Sequence, residues 1–165
     1  MDEVTTYHLE MRSPEQLISS PCNPGLQLQE CEVRQYQLNR FLYQWVGRDW
    51  EWEEKLSWSD QQWRDYAERD ELRTWLAFHR GSPAGFYELE KQPEDTVEIK
   101  YFGLAGPFIG RGFGGYMLSH ALQAAWGWSD TRRVWVHTCT LDHPGALSNY
   151  QARGMRLFKT EIVTV

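Results

Sequence analysis

The sequence predicts an α/β domain with helices concentrated early and strand–loop–helix units late. Three observations carry this. From Thr74 onward, runs rich in β-branched and aromatic residues alternate with the turn segments Gly81-Ser82-Pro83 and Gln92-Pro93-Glu94-Asp95. Leu118, Leu122 and Ala125 then recur at helical spacing. Finally, the 165 residues suit one core, since a chain of this size buries roughly 70% of its unfolded surface. No internal repeat, low-complexity run or linker divides the chain, so residues 1–165 are expected to form one domain.

Taken in order, residues 5–11 alternate and predict a first strand. Residues 13–25 contain Pro14, Pro21 and Pro24 and predict a loop. Residues 26–46 predict a helix, with Leu38, Phe41, Leu42 and Trp45 at helical spacing and Gly47 as its stop. Residues 49–58 mix aromatics with acids and show no clear period. Ser59 and Gln62 form an S-x-x-Q capping box that opens a helix to about Arg69, with Trp63 and Tyr66 on one face. Residues 74–79, 85–89 and 96–104 predict three strands. A glycine loop over 110–115 leads into a helix over about 113–126, and residues 133–139 predict another strand. Asp142 reads as the N-cap of a last helix, with His143 and Pro144 in its first turn and Gly154 just past its end. Residues 156–165 predict a closing strand.

Composition bounds the function. A formal charge of −6 disfavours a nucleic-acid-binding face. No stretch approaches the ~20 apolar residues needed to cross a bilayer. The N-terminal Met1-Asp2-Glu3-Val4 is acidic and carries no secretory h-region. Cys22, Cys31 and Cys139 form no disulfide framework, so a cytoplasmic protein is expected. Nine tryptophans imply an aromatic-rich core, an aromatic pocket, or both.

The central motif is Phe108-Ile109-Gly110-Arg111-Gly112-Phe113-Gly114-Gly115-Tyr116, which follows a strand and opens a helix. Glycines let the backbone turn and a bulky anion approach. The helix start adds unpaired N–H groups and a partial positive charge, which together suit a pyrophosphate. Gly110, Gly112 and Gly115 also satisfy a dinucleotide fingerprint, although Asp142 lies too far on to be its acidic partner and the motif comes late for a doubly wound sheet. No Gly-Lys-Ser/Thr follows, which excludes a Walker A loop.

Phe102-Gly103-Leu104 followed by Ile109-Gly110-Arg111-Gly112-Phe113-Gly114 resembles the acetyl-CoA loop of the GNAT N-acetyltransferase superfamily, Arg/Gln-x-x-Gly-x-Gly/Ala, with Ile109 in place of the polar residue. His143 to Met155 resembles that family's Asn-x-x-Ala-x-x-x-Tyr-x-x-x-Gly-Phe. Ala146, Tyr150 and Gly154 match in register, while His143 replaces Asn and Met155 replaces Phe. The likeness covers residues 74–165 and implies the GNAT fold. That fold is a central, mixed, mostly antiparallel sheet of six to seven strands, with its fourth and fifth strands splayed and about four helices flanking it. Residues 74–165 would then be the cofactor-binding core and 1–73 the variable acceptor-side half. The implied reaction is direct acetyl transfer from acetyl-CoA, without a metal, to an amine of a small molecule or peptide. A second copy of the chain is left open as a partner. A non-catalytic acyl-CoA-binding module and a nucleotide-binding protein of another fold are the alternatives.

Such a transfer needs a base for the amine, a stabilised oxyanion and an acid for the departing thiolate. Glu98 is the candidate base. As a strand residue it alternates away from Val97, Ile99 and Tyr101, and a glutamate near this position serves as base in one branch of the family. An exposed pairing with Lys100 is the alternative. The resemblance makes Tyr150 the acid. It also makes the backbone of Phe102, Gly103 and Leu104 the hold on the pantetheine arm, with the Leu104 N–H as oxyanion donor. Gly110, Arg111, Gly112, Phe113, Gly114, Gly115 and His143 complete the expected cofactor contacts. Trp50 and Trp52, with Trp45 and Trp58, are candidate walls for the acceptor, and Glu51, Glu53 and Glu54 could attract a cation. His137, Cys139, Asp142 and His143 fit no zinc motif. His8, His79 and His120 receive no role.

Overall fold

The structure, a computed structural model, describes residues 2–20 and 23–164; Pro21, Cys22 and Val165, which belong to the expected loop, cysteine set and last strand, lie outside the described residues. The chain begins with β1 (Glu3–Met11) and β2 (Leu26–Glu30), then α1 (Tyr36–Gly47) and α2 (Asp60–Ala67). A meander of β3 (Leu72–His79), β4 (Ser82–Gln92) and β5 (Thr96–Leu104) follows. The last part is α3 (Phe113–Gly127), β6 (Arg133–Cys139), α4 (Ala146–Ala152) and β7 (Arg156–Thr164). All seven strands join one sheet in the order β2-β3-β4-β5-β6-β1-β7. Its pairings are antiparallel except β5 with β6, which is parallel. This is the mixed, mostly antiparallel sheet that the resemblance implies.

Local chemistry explains most elements. Arg80 and Gly81 both take positive φ, at 52° and 80°, which gives the two-residue turn that fits strand twist between β3 and β4. The Ser59–Gln62 capping box closes in both directions and starts α2, whose Trp63 and Tyr66 are buried together. Leu118, Leu122 and Ala125 are fully buried along α3, which packs on the same sheet face as Leu9, Leu89, Ile99 and Val134. Each of these leucine, isoleucine and valine side chains contributes roughly 1.5–3 kcal/mol by leaving water. The opposite face is covered by α1 and α2 through aromatic clusters built on Tyr43, Trp63, Tyr66 and Phe86.

Three expectations need correction. The helix expected over 26–46 starts only at Tyr36. Leu26-Gln27-Leu28-Gln29-Glu30 alternates with a period of two and pairs along the edge of β3, from Leu26 opposite His79 to Glu30 opposite Trp75. Asp142 is not the cap of α4, which begins at Ala146 after Gly145. The strict alternation over 97–101 also fails. Glu88 lies opposite Tyr101 and Leu89 opposite Ile99, so Lys100 is an extra residue in a β-bulge. The bulge turns Tyr101 onto the α1/α2 face, where its ring packs against Tyr43 and Trp52.

Candidate active site

The site begins where the sheet opens. β5 and β6 pair only from Thr96 opposite Arg133 to Glu98 opposite Trp135. β5 runs on to Leu104 hydrogen-bonded to β4 alone, with Gly103 opposite Phe86 and Leu104 opposite Gly85. The backbone edge of residues 99–104 that faces β6 is therefore left without a strand partner among the described residues. Such an edge suits an extended ligand arm. Because β2 adds an early strand, the opening lies between the fifth and sixth strands of this chain.

A first cleft of about 200 Å³ lies along this edge, lined by Phe102, Gly103 and Leu104 on one side and by Gly110, Gly114 and Gly115 on the other. Gly110 and Gly112 hold φ at 79° and 84°, and a Cβ at either would meet nothing within 4 Å. Their conformation, not crowding, requires glycine, and the space beside them is open. Gly112 is the N-cap of α3, so the first free N–H groups of that helix lie at the loop. Arg153, at the end of α4, brings a guanidinium to the same point, because a Cβ on Gly115 would stand 3.1 Å from its Nη1. Gly103 behaves differently. A Cβ there would meet Val46 Cγ1 at 2.6 Å and Trp52 at 3.5 Å, so the missing side chain admits the protein's own α1 and Trp52.

The segment before α4 closes one end of the cleft. The Gly145 N–H donates to Nδ1 of His143 at 2.8 Å, which leaves the proton of the neutral ring on Nε2. Asp142 accepts from the His143 N–H at 2.8 Å and from the Thr138 hydroxyl at 3.0 Å. Burial, only partly offset by these bonds, raises its carboxyl pKa. The Trp50 ring stands edge-on to the His143 ring at 5.2 Å. Tyr150 is 4% exposed and packs on Phe102. Burial first, and then the nearby Asp142 charge, pushes its phenol well above the usual value. The hydroxyl is thus held as a proton donor at neutral pH.

A second cleft of about 290 Å³ shares Trp50, Phe102, Asp142 and Tyr150 with the first. Its other walls include Trp52, Glu51, Glu53 and Glu54 from the segment after α1, Lys100 and Tyr101 from β5, and His137 to Cys139 from β6. Tyr101 donates to the Glu54 carboxylate and accepts from Lys55 Nζ at 2.7 Å. The Lys55 ammonium sits over the rings of Trp58, Tyr66 and Tyr101. Burial holds its pKa below the usual lysine value despite Glu54. Behind it Glu88 is fully buried and accepts from Tyr66 and Asn39.

Glu98 is 3% exposed and lies behind this cleft. It accepts from Gln92 Nε2 at 2.7 Å and faces Lys100 Nζ at 3.7 Å and His137 Nε2 at 3.5 Å. Burial raises its pKa, with Lys100 and Gln92 opposing. The exposed pairing considered from sequence is excluded by this burial.

The structure therefore gathers Phe102, Gly103, Leu104, Gly110, Gly114, Gly115, His143 and Tyr150 along one cleft, and Trp50 and Trp52 at the other. Three expected cofactor residues line neither cleft. The Phe113 ring is buried in the core, the Arg111 guanidinium lies over the Phe108 and Phe113 rings, and Gly112 serves as the α3 N-cap. Asp142 and His137 line the clefts, and the sequence reading assigns neither of them to the site. Both could have been found by their position just past the opening of the sheet.

Comparison with known proteins agrees with this architecture. The family model described as "Acetyltransferase (GNAT) family" matches residues 39–155. A GCN5-related N-acetyltransferase from Sphaerobacter thermophilus superposes with a TM-score of 0.71 at 14% identity, over 95% of this chain and 49% of that one. One from Kribbella flavida gives 0.67 at 16% identity, over 94% and 55%. An IAA acetyltransferase from Bacillus cereus gives 0.60 at 23% identity, over 81% and 79%. The chain thus spans about half the length of the Sphaerobacter and Kribbella proteins. No curated protein matches by sequence. With the opened sheet, the glycine loop and the matched family model together, this chain belongs to the GNAT acetyltransferase family.

Proposed function

We propose that the chain is an N-acetyltransferase that binds acetyl-CoA in the first cleft and passes the acetyl group directly to an amine of a small molecule or peptide in the second. The observation that carries this reading is the junction of the two clefts at Phe102 and Tyr150. A thioester lying along residues 102–104 would have its sulfur side toward α4 and its carbonyl toward the second cleft.

On this reading the free N–H groups of α3 and the Arg153 guanidinium hold the pyrophosphate, at about 1.5–3 kcal/mol for each charged hydrogen bond. The Leu104 N–H is the oxyanion donor. The amine nitrogen attacks the carbonyl carbon, the C–S bond breaks, and Tyr150 gives its proton to the leaving sulfur. Glu98 is the buried carboxylate of the amine side, behind the cleft wall. Glu51, Glu53 and Glu54 favour a cationic acceptor, and Trp50 and Trp52 supply apolar walls.

Thermal shift measurements with acetyl-CoA, NAD and ATP test the donor side. The reading expects stabilisation by acetyl-CoA alone; a shift with NAD and none with acetyl-CoA would remove it.

A further inference from the structure

His137 reaches the acceptor-side cleft and Glu98 does not. His137 is a lining residue of that cleft, whereas Glu98 is buried behind it with Oε2 3.5 Å from the His137 Nε2. The parallel ladder creates this order. Glu98 lies opposite Trp135, the last paired residue of β6, so His137 is the next β6 side chain on the same face once the strands part. An ammonium entering the cleft meets the imidazole first.

We propose that His137 is the catalytic base that takes the proton from the acceptor ammonium, and that Glu98 is a positioning residue that holds the imidazole and balances its charge. The proposal rests on the acetyltransferase reading and deepens its amine side. The protons balance. One leaves the ammonium for His137 before attack, and the amine lone pair then forms the C–N bond. A second leaves the nitrogen as the C–S electron pair departs with sulfur, which takes one proton from Tyr150; that second proton restores the Tyr150 hydroxyl, and His137 passes the first to solvent. The net product is one amide, one thiol and one proton released to solvent.

The surroundings of the ring suit this task. It is faced by Glu98 and Lys100 from β5, by His8 from β1, and by Glu54 and Lys55 from the segment between α1 and α2. The His137 side chain is 49% exposed, and the partial loss of water around its ring, followed by His8 and Lys100, keeps the imidazole pKa below its ordinary value, with Glu54 opposing. The ring is therefore neutral and able to accept at neutral pH. The half-exposed ring can pass its proton directly to solvent. The His8 ring lies 5.9 Å from that of His137, and its Nε2 is 2.9 Å from Glu161 Oε1 on exposed β7. Sequence reading gives both histidines no role, because the contact between them and Glu98 crosses three strands.

The test is steady-state kinetics of H137A, H137Q and E98Q across the range where histidine titrates, with acetyl-CoA thermal shifts to verify folding. H137A and H137Q should lose about 10²- to 10³-fold in kcat while keeping acetyl-CoA binding, and added imidazole should restore part of the H137A loss. The acidic limb of the wild-type profile should vanish in both. In E98Q it should move to lower pH, because the imidazolium loses its counter-charge. Histidine variants within about threefold of wild type would overturn the proposal, as would an E98Q loss exceeding that of H137A with the acidic limb unmoved. If the wild type releases no thiol with any amine, the acetyltransferase reading fails and this inference with it. If the wild type turns over and the histidine variants do so equally, only the role of His137 falls.

Discussion

The indole of Trp50 stands at 74° to the imidazole of His143, with 5.2 Å between ring centroids, and so ties the segment after α1 to the segment before α4 at the first cleft, while Trp50 also lines the second. An edge-to-face pair of this kind contributes about 0.5–1.5 kcal/mol beyond its buried area. Trp50→Ala should therefore weaken acetyl-CoA binding and raise the acceptor KM together, each by about three- to tenfold. Calorimetric titration of acetyl-CoA alongside acceptor kinetics checks this, and an effect on one ligand only would contradict the shared wall.

Tyr150→Phe removes the proton donor and keeps the ring that packs on Phe102. Turnover should fall about 10²-fold with acetyl-CoA affinity preserved. Since burial holds the phenol above its ordinary pKa, the wild-type rate should show no loss from its ionisation near neutral pH. Stopped-flow thiol release for the two proteins measures both points.

Glu88 links stability to pH. Burial raises its carboxyl pKa from an ordinary 4.5, with Tyr66 and Asn39 partly opposing. The folded chain then holds this proton more tightly than the unfolded chain. Its stabilisation is fully present below the unfolded pKa and is lost as pH rises through the folded pKa. The loss is about 1.4 kcal/mol for each tenfold difference in proton affinity between the folded and unfolded chains. Glu88→Gln cannot ionise and lacks this slope. Urea unfolding at about pH 5 and pH 8 should show the wild type losing stability relative to Glu88→Gln as pH rises; parallel curves would contradict the raised pKa.

Gly154 follows α4 with φ at 103°, and a Cβ there would collide with the Gln16 carbonyl oxygen. Gly154→Ala therefore meets both backbone strain and a backbone clash. A cost of at least about 2 kcal/mol should lower Tm by roughly 4–8 °C. Gly110→Ala has the strain without the clash and should lower Tm less. Differential scanning calorimetry of the pair separates the two causes.

How far the sequence could be read follows from the range of each interaction. The glycine loop, the Ser59–Gln62 capping box and the Gly154 stop are local, and the structure carries each of them at the expected residues. β2 escapes sequence reading because Leu26 and Leu28 carry a signal only two residues long, beside a helix whose apolar spacing is strong. The bulge at Lys100 is invisible in sequence, since it arises from register against β4, and it moves Tyr101 to the face it occupies. Gly103 is legible as a glycine required by close approach, but the approaching group is Val46. The contacts of Glu98 with Gln92 and His137 could not be foreseen, because they depend on which strand lies next to which.

The most direct test of acetyl transfer between the two clefts is amine-dependent release of CoA thiol from acetyl-CoA across a panel of small-molecule and peptide amines. The prediction is release that depends on the amine and equals the N-acetyl product formed, strongest for cationic acceptors with an apolar portion. Acetyl-CoA bound at the glycine loop with no amine raising thiol release above spontaneous hydrolysis would contradict it.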